Sequence, residues 1–367
     1  MKYYLIAGEA SGDLHGANLM KSILRNDPQA AFRFWGGDKM QTVGGTLVKH
    51  YRDLAFMGFA EVLMNLRTIR RNMIFCKKEL VSFTPDVVIL IDYPGFNLRM
   101  AKFAHKKGMK VVFYISPTIW AWKQSRVYTV KKYVDRMMVI LPFEKEFYAR
   151  FDYQADFVGH PLLDELEEEQ AVTRKDFLKL NGLPDKPIIA VLPGSRTQEI
   201  KKILPKMLVV APQFSKYQFV VAGVRSVPEA VYLQQKTPVV FDQTHALLRH
   251  ADAALVASGT ATLEAALLGV PQVVCYEASS VSYFIARLLV HVKFISLVNL
   301  ILDKEVVREL IQHDFSEKNL LAELHDLPED NERRKQIVSE YALLRTKLGN
   351  SGASENAAAV ITDILGK

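Results

Sequence analysis

"PDVVILIDYPGFNLRMAKFAHKKGMKVVFYIS", residues 85–116, holds one complete structural unit. Residues 85–92 are a short, solidly apolar run rich in Val and Ile, the composition of a strand buried on both faces. A helical pattern starts near Asn97, and Gly108 supplies the left-handed position that ends a helix. A second apolar run, residues 109–116, follows at once. Two such strands joined by a helix imply a parallel sheet with a right-handed crossover.

The same alternation extends in both directions. Residues 3–8 form a strand-like run that leads into a helix from about Leu14. Around 159–187 the pattern resets, with an acidic stretch, "GHPLLDELEEEQ", and turn residues in "NGLPDKP". A second series follows at 187–194, 217–223, 237–241, 252–258 and 271–277. The chain therefore reads as α/β, with two doubly wound, Rossmann-like domains facing a cleft and C-terminal helices. Expected boundaries are 1–165, 166–345 and 346–367. The last piece is a helix, split off by Gly349 and Gly352, that packs back on the first domain or is exchanged in a dimer. Ligands of open parallel sheets bind beyond the carboxyl ends of the strands, so functional residues are sought in the loops there.

Composition narrows the function. The 367 residues are 49% apolar and 24% charged, an ordinary globular balance. No apolar run is long enough to span a membrane, and the N-terminus enters a strand with no secretory leader. Cys76 and Cys275 lie far apart among apolar neighbours, as buried thiols of a reducing compartment do. A net charge of +7 favours an acidic partner: nucleic acid, a phosphorylated ligand or an anionic membrane. Nucleic acid fits poorly, because the basic residues are scattered and no recognised module occurs. No metal-binding spacing is present either, neither C-x-x-C nor H-E-x-x-H.

Six stretches carry candidate chemistry. In "LIAGEASGDLHGANLM" (5–20) the glycines fall at 8, 12 and 16, which matches neither the dinucleotide fingerprint nor a Walker loop. An acid at Glu9 would also repel phosphate. The stretch is either a tight turn in which Ser11 or Asp13 caps a helix, or a loop whose Glu9 and Ser11 hydrogen-bond hydroxyl groups. Asp92 ends an apolar strand, where a carboxylate is costly unless it is paired or at work. It is either a helix cap or a general base whose pKa burial has raised. "YISPTIWAWKQSR" (114–126) carries Trp120 and Trp122, which either stack on a ligand ring or fill the floor of the cleft.

In the second half, "LPGSRTQEI" (192–200) places Gly194, Ser195 and Arg196 at a strand-to-helix turn suited to an anion. "LVASGTATLEAALLGVP" (255–271) repeats the geometry with Ser258, Gly259 and Thr260, and Glu264 one turn later suits the two hydroxyls of a ribose. Finally, residues 56–78 interleave apolar and basic side chains. Leu63, Leu66, Ile69 and Met73 mark one helical face, with Phe56 and Met57 ahead of it. This is either a core-packing helix or an interfacial one that touches anionic lipid and acyl chains.

With these residues in view, the chain resembles the lipid-A-disaccharide synthase family along nearly its whole length. "AGEASGD", "FMGFAEVL", "IDYPGFN", "ISPTIWAWK", "LPFEK", "VGHPL", "LPGSR" and "ASGTATLE" occur in that family's order. The resemblance implies a GT-B fold and an inverting glycosyltransferase. Its donor would be UDP-2,3-diacylglucosamine and its acceptor 2,3-diacylglucosamine 1-phosphate, giving a β-1′,6-linked disaccharide phosphate and UDP. It implies no cofactor and no metal, a cytoplasmic chain peripheral to the inner face of the inner membrane, and in some members a homodimer. By the same resemblance Asp92 is the base, with Glu9 and Ser11 on the acceptor side. Gly194, Ser195, Arg196, Ser258, Gly259 and Thr260 hold the diphosphate, Glu264 the ribose, and Asn299 touches the donor. One departure is visible: many relatives read I-D-x-P-D-F-N where Gly95 stands here. A UDP-N-acetylglucosamine 2-epimerase, another GT-B UDP-sugar enzyme and a non-catalytic nucleotide-sugar or lipid-binding protein are the competing readings.

Overall fold

The computed structural model describes residues 1–54, 66–233, 236–279, 283 and 292–366. It divides the chain into two compact units, Met1–Glu165 with Leu348–Lys367, and Leu166–Lys347.

The first unit is built on a parallel sheet of seven strands: β1 (Lys2–Ala7), β2 (Ala31–Gly36), β3 (Thr46–His50), β4 (Val87–Ile91), β5 (Lys110–Tyr114), β6 (Arg136–Val139) and β7 (Asp156–Phe157). Their order is β3-β2-β1-β4-β5-β6-β7, so β1 and β4 meet where the winding reverses. Apart from exposed Lys2 at the start of β1, both central strands are buried, and their side chains alternate between two cores. Tyr4, Ile6, Val88 and Leu90 join one apolar cluster, while Tyr3, Leu5, Val87, Ile89 and Ile91 join the other. This period of two, with both faces covered, is why the sequence shows unbroken apolar runs. Each such side chain contributes about 1.5–3 kcal/mol on burial.

The second unit has a six-stranded parallel sheet in the order β10-β9-β8-β11-β12-β13. Its strands are β8 (Ile188–Leu192), β9 (Gln218–Gly223), β10 (Val239–Phe241), β11 (Ala253–Ala257), β12 (Gln272–Tyr276) and β13 (Arg308–Ile311). Strands β6 and β13 open on an arginine and run only four residues, so they carry little of the apolar signature seen in β4.

The C-terminal segment belongs to the first unit. Its helix, Ala353–Ile364, starts where the Asp164 carboxylate accepts from the N–H groups of Gly352 (2.6 Å), Ala353 (3.3 Å) and Ser354 (3.4 Å). That anion satisfies the unpaired donors of the helix start. Ala357, Ala358 and Ile361 then enter the same core as Leu5 and Ile89, and Arg136 pairs with Asp363 at 2.7 Å.

Candidate active site

In the first unit the loops after β1, β4 and β5 lie side by side at the carboxyl edge of the sheet. Glu9 is the N-cap of the Ala10–Asn26 helix, but its side chain makes no capping bond, and both Glu9 and Ser11 are exposed. Asp13 behaves differently. It is buried, and its carboxylate accepts from the N–H groups of Gly37 (2.6 Å), Lys39 (3.0 Å) and Met40 (3.1 Å). It therefore fixes the start of the neighbouring Asp38–Val43 helix, a structural task. The glycine spacing also has a packing cause. A Cβ on Gly8 would stand 2.4 Å from the Tyr93 ring, and one on Gly16 would stand 2.7 Å from Met40 Sδ.

Asp92 follows β4 with φ +43°, and Tyr93 continues at +49°. Two consecutive left-handed, non-glycine residues cost about 1–3 kcal/mol each, and the surroundings must hold them. Fully buried Asn97 does so: its Nδ2 donates to the carbonyls of Asp92 (2.7 Å), Ile91 (3.2 Å) and Ile6 (3.2 Å). The Asp92 N–H also donates to the Tyr114 carbonyl at 3.1 Å, tying the turn to β5. Burial, reinforced by the charge of Glu9, raises the Asp92 carboxyl to about 6. A base of that strength is ionised at neutral pH yet far more basic than an exposed carboxylate.

The two tryptophans of the next loop part company. Trp120 is half-buried, meets Phe143 edge-on and donates from Nε1 to Glu144 at 3.2 Å. Glu144 is itself buried, and burial pushes its carboxyl up to about 8. Trp122 is 43% exposed, with the Arg126 guanidinium 5.0 Å and the Lys123 ammonium 5.9 Å from its ring centre.

In the second unit the candidate residues again follow strand ends. After β8, Gly194 has φ +105°, and the Glu199 carboxylate folds so closely over it that a Cβ would lie 2.3 Å from Glu199 Oε2. Ser195 and Arg196 are exposed at the start of the Thr197–Leu208 helix, with Arg196 as its N-cap residue. After β11, Gly259 (φ +156°) and Thr260 are exposed, whereas Ser258 donates its hydroxyl proton to the Ile295 carbonyl at 3.0 Å. Glu264 is partly buried and lies 3.6 Å from His245 Nε2; His245 Nδ1 lies 2.9 Å from Glu169. Hydrogen bonding to Glu264 is the main influence raising the His245 pKa, with the Glu169 charge adding to it. Nothing local in the sequence marks His245, whose partner Glu169 is 76 residues away, and one of the three carbonyls that Asn97 reaches is 91 residues away.

Two expectations need correction. Asn299 does not present its side chain to a donor: it is fully buried, and every group on it is used. Oδ1 accepts from the N–H groups of Val306 (2.8 Å) and Val307 (3.0 Å), and Nδ2 donates to Val307 O (2.8 Å) and Glu309 (2.9 Å). The amide clamps the loop that leads into β13. In the basic-apolar segment, Phe56, Met57 and Leu63 lie outside the described residues, as does the side chain of Leu66. Beyond them, Met73 packs against the core and Ile69 is half-buried, because Asn72, Cys76 and Leu80 set the inward face of the Leu66–Phe83 helix. The exposed apolar residues are Ile74, Phe75 and Val81, among exposed Arg67, Arg70, Arg71 and Lys78.

Against known proteins, a model of the family described as lipid-A-disaccharide synthetase matches residues 3–364. The chain belongs to this family. The lipid-A-disaccharide synthase of Syntrophus aciditrophicus is 40% identical over 375 residues, covering 99% of this chain and 97% of the relative. That of Geobacter sulfurreducens is 37% identical over 374 residues, with the same coverage. The protein is thus a glycosyltransferase of lipid A disaccharide synthesis. Solved structures show the GT-B fold. A putative UDP-N-acetylglucosamine 2-epimerase from Listeria monocytogenes has a TM-score of 0.69 at 13% identity, covering 99% of this chain and 96% of its own. A kitacinnamycin glycotransferase has a TM-score of 0.68 at 14% identity, covering 99% of both. At such identities the likeness is one of fold alone, and the epimerase reading is not favoured. Among the described residues no helix is long and apolar enough to cross a membrane.

Proposed function

We propose that Asp92 is the general base of an inverting transfer from UDP-2,3-diacylglucosamine to 2,3-diacylglucosamine 1-phosphate. The observation that carries this is the Asp92 carboxyl, raised to about 6 by burial and Glu9, on a strained turn at the sheet's switch point. Asp92 takes the proton of the acceptor 6-hydroxyl as that oxygen attacks the anomeric carbon. The bond from that carbon to the diphosphate breaks on the opposite face, and UDP leaves with its electron pair. Arg196, with Gly194, Ser195, Gly259 and Thr260, holds the leaving diphosphate in the second unit; Ser258 fixes their loop and Glu264 accepts from the ribose. Charge-assisted bonds from Arg196 suit the charge that develops on the leaving group. This reading assigns the reaction to side chains and backbone, with no metal or other cofactor.

Glu9 and Ser11, exposed beside Asp92, serve the acceptor. The Leu66–Phe83 helix meets the membrane surface where these acylated substrates reside, supported by exposed Ile74, Phe75 and Val81 among arginines. The test of the reaction is UDP release from both acylated substrates: Asp92→Asn is expected nearly to abolish turnover while UDP still binds, and full activity in that variant would sink the assignment. Serine at Ile74, Phe75 and Val81 is expected to reduce liposome binding. Unchanged binding by the folded variant would remove the membrane role.

A further inference from the structure

Several cations of the first unit are paired with carboxylates. Arg136 lies between Asp156 and Asp363, Arg33 meets Glu79, and Arg25 meets Glu355. The group beyond β5 is arranged differently, around an aromatic ring. Arg126 and Lys123 both sit against the Trp122 ring, at 5.0 Å and 5.9 Å, and neither has a carboxylate within ion-pair distance among the described residues. Arg99 is near enough for its charge to disfavour that of Arg126, in addition to the larger effect of burial. Arg99 in turn donates to the Gly95 carbonyl at 2.6 Å, so this second guanidinium is held over the turn that starts at Asp92.

Such an arrangement is unfavourable as it stands. A half-buried guanidinium loses hydration, and a like charge beside it adds repulsion. Cation–π contact with Trp122 offsets part of the cost and, more usefully, restricts where the two cations point. What the arrangement lacks is an anion, and a planar guanidinium beside an ammonium matches the oxygens of a phosphate monoester. Strands β4 and β5 are neighbours in the sheet, so the loop carrying this group runs beside the one carrying Asp92.

We propose that Arg126, Lys123 and Arg99 form the binding site for the phosphate of the acceptor sugar, with Trp122 as the scaffold that aims the cations. This rests on the assignment of the acceptor side to the first unit. The site makes the enzyme select a sugar already phosphorylated at its anomeric carbon and anchors that end of the acceptor while its 6-hydroxyl meets Asp92.

Equilibrium binding tests this, with 2,3-diacylglucosamine 1-phosphate and its dephosphorylated counterpart as probes in the same detergent micelles. Wild-type protein is expected to prefer the phosphorylated sugar by about tenfold to a hundredfold, the range of charge-assisted bonds. Arg126→Ala and Lys123→Ala lose most of that preference and leave the dephosphorylated sugar unaffected, while Arg126→Lys keeps part of it. An unchanged circular dichroism spectrum and melting midpoint certify that each variant is folded. Equal weakening of both sugars, or of neither, in the folded alanine variants overturns the proposal. A third arm uses vesicles of phosphatidylglycerol and phosphatidylethanolamine. Loss of vesicle binding with the sugar preference intact would give these cations to membrane phosphates and equally overturn it. Because binding is the readout, a protein that binds as expected yet releases no UDP would refute the transfer reaction and not this site.

Discussion

The two units share an architecture and use it in opposite ways. At the carboxyl edge of the first sheet, the candidate base sits on a strained, non-glycine turn clamped by buried Asn97, and burial raises its pKa. At the same edge of the second sheet, the turns are glycines, Gly194 at φ +105° and Gly259 at +156°, and Ser195, Arg196 and Thr260 stand in solvent. Proton transfer needs a carboxylate whose surroundings disfavour its charge, so the first unit buries it and accepts strain. Under the proposed roles, holding a diphosphate needs reachable cations and N–H groups, and in the second unit these are exposed and glycine relieves the backbone.

Removing the base is the most severe test of this contrast. Asp92→Asn keeps size and tolerates the left-handed turn, so turnover is expected to fall about 10²–10⁴-fold with UDP affinity intact by calorimetry. Equal losses in both would mean that the two roles are not divided between the units. Arg196→Ala is expected to do the reverse, weakening UDP binding about tenfold to a hundredfold and raising the donor KM, with the pH profile unmoved.

The clamps differ next. Asn299→Ala strands the Val306 and Val307 N–H groups and is expected to destabilise by about 2–5 kcal/mol in denaturant melts. Asn97→Ala removes a donor from three carbonyls and is expected to cost about 1–3 kcal/mol, with a larger loss of turnover than of stability. An Asn97 variant that melts early yet turns over normally would separate the clamp from the base.

The smallest effect is in the pH profile. Asp92 must be ionised to act, so kcat/KM is expected to be flat above its pKa of about 6 and to fall tenfold per pH unit below it. Glu9→Gln removes the neighbouring negative charge that helps to raise that pKa, so the midpoint is expected to move to lower pH. A midpoint that moves up, or stays, would show that Glu9 does not act on Asp92 electrostatically.

Much of this was legible from residue types alone. Unbroken apolar runs such as residues 85–92 marked strands buried on both faces, and the alternation of such runs with helices gave the parallel sheets. The loops after those strands were where the candidate residues had to lie. Local pattern carries this information because strand and helix periods are set by neighbours within four positions. It also singled out Asp92, since a carboxylate at the end of such a strand is anomalous wherever it occurs.

What the sequence could not divide was the work among similar residues. Asp13 and Asp92 are both acids that closely follow a strand. Only the fold brings Asp13 to the N–H groups of a helix start 24–27 positions away, leaving it structural. Asn97 reaches a carbonyl 91 residues distant, and His245 meets Glu169 across 76. Trp120 turns into the core while Trp122 stays in solvent between two cations, and Met73 faces inward where Ile74 and Phe75 do not. Sequence by itself determined the central strands, the sheet class and the family, because those depend on local periodicity and on ordered motifs. Tertiary structure decided which polar group is buried, paired or free, because desolvation and hydrogen bonding depend on atoms that the chain brings together from far apart.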